Sequence, residues 1–422
     1  MKVNTQSNTI KNQFPIPRLG GFFSWFVIFV FVFTSLRGWV VLNLNMPTEL
    51  VYGFSSMLII VLAVYGFNCR LRIKYVHLTS LRNLLLINGL MGIYYVLGTE
   101  LLGGTVDVSI LYIYLLPYIV FLFIRVPIDK LHTGLFLIFI GISFSVIDNF
   151  RISLSGADGL LYLEDYNVKL RPLIFEAMSR TRDYLRVGGY TGSYHDSANI
   201  LGMLGSFYYI NSILNRSMVH IIIAIVAFVA MALTQSAANI VIALFTSFIF
   251  TIYIAAKKPT IRLWLLLLCI IVIVILIISI FPDILVFTDR LGAEGDWEGM
   301  GNKLGLEVLI TPSFWVGFGY STGSEFIRTE IGFLKGILEQ GIIPACLLFW
   351  ILIYPAYIFL RKKSQSFKSL PYLAAIIFGF LSLAHYGSLF RVTNIAIFYA
   401  MYALFFINVI VDNDDISEKN EL

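Results

Sequence analysis

Long, continuous apolar stretches alternate with short polar ones along almost the whole chain. A helix needs roughly 20 mostly apolar residues to cross a bilayer, and only helices or closed barrels satisfy their backbone in lipid. The stretches here are continuous, whereas barrel strands alternate. The pattern predicts an all-α polytopic membrane protein. Its twelve predicted helices lie near residues 20–42, 50–68, 81–98, 108–125, 132–148, 196–214, 218–234, 237–255, 262–282, 331–360, 371–388 and 392–411.

Lysine and arginine in the short loops predict the orientation, because cytoplasmic loops are enriched in both. Basic groups precede the first predicted span and follow the second, eighth and tenth. This places both termini in the cytoplasm, with a tail at 1–19, one membrane domain at 20–411 and an acidic tail at 412–422. Two long loops, 149–195 and 282–330, then lie outside. The polar start lacks the pattern of a cleavable signal peptide, so the first apolar segment is predicted to be a retained anchor.

Composition narrows the class further. The chain is 58% apolar and 13% charged, with a mean hydropathy of +0.84. Its net charge of +5 follows the predicted topology, so it does not indicate nucleic-acid binding. The three cysteines lack disulfide-framework or zinc-site spacing. Many secondary transporters carry an internal repeat that relates their two halves. No such repeat is found in this sequence.

The basic residues differ between the two sides. Nine of the twelve on the predicted outer side are arginine, whereas ten of the eighteen on the inner side are lysine. Arginine's planar fork suits bidentate binding of phosphate or carboxylate. The bias therefore indicates an anionic ligand at the outer face.

The first outer loop holds the densest group of polar candidates. Residues 171–189 are predicted to form a helix that carries three arginines, Arg180, Arg182 and Arg186, and ends at a Gly-Gly pair. Surface ion pairs within that helix are the alternative interpretation of each arginine alone. The cluster is harder to explain in this way, because the loop returns to the membrane immediately after it.

The return to the membrane carries a second group. His195, Asp196 and Asn199 fall within about one helical turn, and Tyr190 and Tyr194 precede them. Aromatic and hydrogen-bonding groups together suit a sugar ligand. For Asp196 alone, capping the helix start is the preferred interpretation.

Further candidates lie in the second outer loop and the last outer turn. Gly317, Gly319 and Gly323 predict a permissive loop before a helix start, where free amides favour an anion. The charged candidates nearby are Arg290, Arg328 and Glu330, and those of the last outer turn are His385 and Arg391. Charged residues so close to a membrane are candidate site residues. Membrane anchoring or local pairing, as predicted for Lys335 with Glu339, is the alternative.

The pattern resembles the O-antigen polymerase and O-antigen ligase superfamily of bacterial envelope glycosyltransferases. The resemblance covers residues 180–345 in detail and the whole chain in hydropathy. Three features carry it: Arg186-Val-Gly-Gly approaching His-Asp-Ser-Ala-Asn199, the loop Trp297…Pro312…Gly317-Phe-Gly319, and Glu330-Ile-Gly-Phe-Leu followed by Glu339-Gln-Gly341. Ligases usually have histidine at the Glu330 position. The absence of that histidine here favours a polymerase. The Thr-x-Ser-Arg element of the family is Thr234-Gln-Ser-Ala here, so that arginine is missing.

The resemblance implies growth of a surface polysaccharide in the bacterial cytoplasmic membrane, without metal or cofactor. The substrate would be an oligosaccharide linked to undecaprenyl diphosphate, and the partners membrane lipid and the flippase and chain-length regulator of the same pathway. Arg186 and Arg328 would stabilise the diphosphate, with Arg290 in reserve. Glu330 or His195 would take the proton of the attacking hydroxyl.

Two other functions remain open. A ligase has the same architecture and differs in its acceptor. A flippase or other transporter belongs to a different class, and Lys335 and Glu339 within a predicted span keep it under consideration.

Overall fold

The computed structural model describes residues 18–68, 76–101, 111–155, 157–170, 187–234, 236–257, 315, 332–361, 367–384 and 387–420. These residues are predominantly helical, and no strand occurs among them. The predicted class, a polytopic helical membrane protein, is confirmed.

The helices pack around one large core and two smaller clusters of apolar side chains. In chain order they are α1 (Gly21–Ser35), α2 (Arg37–Asn43), α3 (Thr48–Asn68), α4 (Val76–Leu101), α5 (Leu111–Leu115), α6 (Ile119–Phe123), α7 (Ile128–Ser153), α8 (Ala157–Leu170), α9 (Tyr194–Asn215), α10 (Met218–Leu233), α11 (Ala237–Lys257), α12 (Gly332–Gln340), α13 (Ile342–Arg361), α14 (Leu370–Leu381) and α15 (Val392–Asn420).

Within the described ranges, seven helical segments are long and apolar enough to cross a membrane, or eight if α1 and α2 form one span. The predicted span 262–282 lies outside those ranges. The total of twelve therefore stays a prediction, as does the division into loops and tails. Helix α15 continues to Asn420, into the predicted tail 412–422.

Three of the predicted spans contain breaks. Helices α1 and α2 meet at an angle of 66° around Leu36. Gly341 lies between α12 and α13 and has φ of 87°. This left-handed backbone conformation interrupts the helix, and glycine adopts it without steric cost. Pro117 lies in the short 3₁₀ segment that joins α5 to α6. A hydropathy pattern records the apolar length of each span and not these changes of direction.

Helix α9 lies at the centre of the bundle, packed against α10, α11 and α14. Every residue from Tyr194 to Ile210 is buried, including the polar ones. Helix α15 also contacts α9, and nearly all of its residues from Val392 to Ile410 are buried. A helix buried on all sides must place its polar groups against protein partners. The polar start of α9 is therefore built into the interior.

Close contact between α9 and α14 depends on Gly202. An ideal Cβ there would lie 2.0 Å from Cζ of Phe378, whose side chain is fully buried. We expect Gly202→Ala to destabilise the protein by about 1–3 kcal/mol, the usual effect of overpacking a filled core. The added Phe378→Leu substitution should recover part of that loss. Thermal unfolding in detergent measures both, and an additive double variant would contradict this contact.

Candidate functional site

A tight turn leads the chain into α9. Gly189 and Gly192 adopt φ of 57° and 68°, a region that glycine enters without steric cost. The Thr191 hydroxyl lies 2.9 Å from the Gly188 carbonyl oxygen and 2.8 Å from the Ser197 hydroxyl. These bonds fasten the turn Val187–Ser193, hereafter the entry turn, to the first turns of α9.

Ser193 caps α9. Its backbone is extended (φ −140°, ψ 122°), and its Oγ accepts a hydrogen bond of 3.4 Å from the Asp196 backbone N–H. The capping role preferred for Asp196 is therefore wrong. The chain reverses at Gly192 and the helix begins at Tyr194, so Asp196 already lies inside the first turn. Its carboxylate is available for another partner.

That partner comes from the far end of the chain. The Nη1 of Arg391 donates to Oδ2 of Asp196 at 2.8 Å. The Asp196 side chain is 4% exposed and that of Arg391 29%. Two separately predicted site residues, 195 positions apart, thus meet at the start of α9. Arg391 has five N–H donors in all, so a partly exposed guanidinium can hold Asp196 and still contact a ligand.

His195 and Asn199 extend this group. The His195 and Tyr194 rings lie with centroids 4.0 Å apart and planes inclined by 40°. His195 is 8% exposed, and Asn199, one turn further along α9, is fully buried. The structure therefore places His195, Asp196 and Arg391 at one end of the bundle, with Asn199 beneath them. This candidate site combines an acid, a guanidinium and an imidazole.

The sequence groups Tyr190 with His195, but in the structure the Tyr190 backbone packs against α7 and α2. Its backbone N–H donates to Oγ of Ser145 in α7 at 3.1 Å. Gly38 of α2 lies so close that an ideal Cβ would be 1.9 Å from the Tyr190 carbonyl oxygen. Burial, together with the nearby Asp148 carboxylate, raises the pKa of the Tyr190 hydroxyl. A phenol is protonated at neutral pH even without this shift, so the hydroxyl can donate a hydrogen bond.

Two cavities meet at Tyr190. One is polar, about 220 Å³ in volume, and lies between α2, α7 and α8. The other is an apolar groove of about 960 Å³ between α1, α2, α3 and α7. Neither is lined by His195, Asp196 or Arg391.

Sequence reasoning missed the polar cavity. Its lining residues are Leu42, Asn43, Ser145, Asp148, Asn149, Tyr162, Asp165, Tyr166, Lys169 and Tyr190. Asp148 pairs with Arg151 at 2.8 Å and Asp165 with Lys169 at 2.9 Å, which are ordinary spacings for helix-surface pairs. The overlooked signal is the apolar stripe Leu163, Tyr166 and Leu170, which is buried and marks α8 as a packed helix rather than loop.

The remaining predicted site residues lie outside the described residues. They are Arg180, Arg182, Arg186, Arg290, Arg328, Glu330 and His385. Residues 171–186 of the predicted loop helix 171–189 also lie outside the described residues. The same holds for the Lys335 side chain, which was predicted to pair with Glu339. Among the residues that are described, no cluster of three His, Cys, Asp or Glu side chains suits a metal ion.

Comparisons with protein-family models and with curated proteins give no match for this chain.

Proposed function

We propose that the protein is a polymerase of lipid-linked oligosaccharide repeat units, such as those of O-antigen, capsule or exopolysaccharide. It would transfer the growing glycan from undecaprenyl diphosphate to a sugar hydroxyl of an incoming lipid-linked unit at the outer face of the cytoplasmic membrane. One observation supports this most strongly. Arg391 pairs with Asp196, the residue after His195, at the start of α9, and the arginine-rich segment 180–186 comes shortly before this helix in the sequence.

In the proposed reaction the acceptor hydroxyl oxygen bonds to the anomeric carbon of the donor glycan. The bond from that carbon to the diphosphate oxygen breaks, and undecaprenyl diphosphate leaves with the electron pair. His195 or Glu330 takes the hydroxyl proton. Arg186 and Arg328 stabilise the negative charge that develops on the leaving group, since fixed positive groups act most strongly where charge appears.

Arg391 contributes by position in this proposal. Its bond to Asp196 fixes one side of the guanidinium, whose side chain is 29% exposed, and the rest of the guanidinium would contact the ligand. The buried carboxylate thereby orients a cation that would otherwise be free to rotate. Fixed orientation is what lets a cation stabilise a transition state without first reorganising.

Replacing Arg186 by lysine should reduce polymer formation about 100-fold or more, the usual effect of losing one transition-state donor. The surface polysaccharide from a gene deletion complemented with each variant is separated on a gel. Arg216→Lys is the matched control, because Arg216 is an exposed arginine just beyond the other end of α9. Immunoblotting of membranes checks that each variant is inserted.

The deletion strain itself distinguishes the candidate functions. Collapse of the ladder to a single repeat unit supports a polymerase. Full-length polymer that fails to attach to its acceptor indicates a ligase, and lipid-linked units retained on the cytoplasmic side indicate a flippase. A normal ladder from the Arg186→Lys strain contradicts the role given to that arginine.

A further inference from the structure

The polar cavity and the apolar groove share their walls. Helices α2 and α7 line both, and Tyr190 is a lining residue of each. Along α7, the groove is lined by Leu137, Ile140, Gly141 and Phe144, and the polar cavity by Ser145, Asp148 and Asn149. At 1.5 Å of rise per residue, the polar cavity is centred about 10 Å closer to the Ser153 end.

The groove has the character of a hydrocarbon site. Its lining is almost wholly apolar, and several of the lining rings are also widely exposed at the protein surface, including Phe29 (62%), Phe54 (53%) and Phe144 (63%). In a membrane-embedded helix bundle such a surface faces lipid chains. Its volume of about 960 Å³ is at the upper end of the range for small-molecule pockets. The groove is therefore open to the bilayer and large enough for an alkyl or prenyl chain.

The polar cavity favours an uncharged head. Both of its carboxylates already have cationic partners, Arg151 for Asp148 and Lys169 for Asp165. A phosphate placed there would face two carboxylates, and an ammonium would compete with two resident cations. The amides of Asn43 and Asn149 and the phenol of Tyr162 add groups that both donate and accept. Hydroxyl groups, which also do both, match this lining best.

We propose that these two cavities form one binding site for a membrane lipid with an uncharged, sugar-type head. The chain lies in the groove, the sugar occupies the polar cavity, and the Tyr190 hydroxyl contacts the head at the junction. Tyr190 is suited to this because a phenol hydroxyl both donates and accepts hydrogen bonds. The site goes beyond the proposed polymerase function and stands whether or not the chain transfers sugars.

The groove is tested with a photoreactive lipid. Purified full-length protein in detergent is labelled with a glucosyl diacylglycerol that carries a diazirine in its acyl chain, and the labelled peptides are mapped by mass spectrometry. Ile140→Trp, which fills the groove, should lower labelling about tenfold, equivalent to roughly 1.4 kcal/mol of binding free energy. Ile147→Trp is the matched control, since Ile147 is similarly exposed on α7 but does not line the groove.

The head-group preference is tested separately. The wild-type protein should label more strongly with the glucosyl lipid than with phosphatidylglycerol or phosphatidylethanolamine carrying the same diazirine chain. Asp165→Leu should abolish that preference, because Asp165 lines the polar cavity. Asp129→Leu should keep it, because Asp129 lies at the end of α7 that is far from that cavity. Equal labelling by all three lipids would show general lipid solvation and overturn the proposal. So would unchanged labelling of the Ile140→Trp variant.

Discussion

Alanine at Arg391 should destabilise the folded protein by about 3–5 kcal/mol, the usual consequence of leaving a buried charge without its partner. Alanine at Asp196 should destabilise it less, because the Arg391 side chain left behind is 29% exposed. The pair is short, at 2.8 Å, and the carboxylate is 4% exposed. The double variant should lose much less than the sum of the two single variants, because it leaves neither charge without the other. Urea or thermal unfolding in detergent provides the four stabilities of the cycle.

The Asp148–Arg151 pair is the control for burial. Its N–O distance is the same, 2.8 Å, but its side chains are 37% and 71% exposed. Exposed pairs are typically worth less than about 1 kcal/mol, so the corresponding cycle should show almost no coupling energy. Equal coupling in the two cycles would mean that burial of the Asp196 carboxylate does not strengthen its pair.

Gly38→Ala should displace the entry turn. The added Cβ would lie 1.9 Å from the Tyr190 carbonyl oxygen and 2.7 Å from its carbonyl carbon. Backbone atoms cannot rotate away as a side chain can, so α2 or the turn must move. We expect a loss of about 3 kcal/mol, at the upper end of overpacking effects, with faster proteolysis of residues 187–193. Thermal unfolding and limited proteolysis in detergent measure the two effects.

Gly53→Ala serves as the matched substitution. Gly53 lies within α3, and an added Cβ there has no atom within 4 Å. Because alanine is the better helix former by about 1 kcal/mol, this variant should be neutral or slightly more stable. Similar losses in both variants would point to a general sensitivity to helical glycine and against the specific contact with Tyr190.

The sequence predicted the class of the fold well, because apolar length is a local property that each helix records in its own residues. It predicted the bends less well. Gly341 is a visible signal for the break between α12 and α13, whereas nothing in the residues around Leu36 announces a 66° turn. That turn depends on how α2 packs against the entry turn and α8. Direction is thus set by contacts that lie far apart in the chain.

The candidate site shows the same division. The sequence predicted His195 and Asp196 as site residues because polar groups inside an apolar membrane protein are usually functional. It predicted Arg391 because this residue lies at the edge of a predicted span. Their meeting was not predictable from a single sequence, since no spacing relates position 196 to position 391. The capping assignment failed because it depended on which residue begins α9. The hydropathy pattern predicts a loop over residues 149–195, so it does not reveal the polar cavity, which is lined in part by α8 within that range.

The Asp196–Arg391 pair also bears on biogenesis. A ribosome delivers α9 to the membrane well before it delivers Arg391 and α15, so Asp196 enters the bilayer region without that cation. Its carboxylate must then remain at the water interface until α15 is inserted. Arrest of translation before Arg391 should therefore leave the start of α9 accessible to water-soluble reagents, and release of the complete chain should close it.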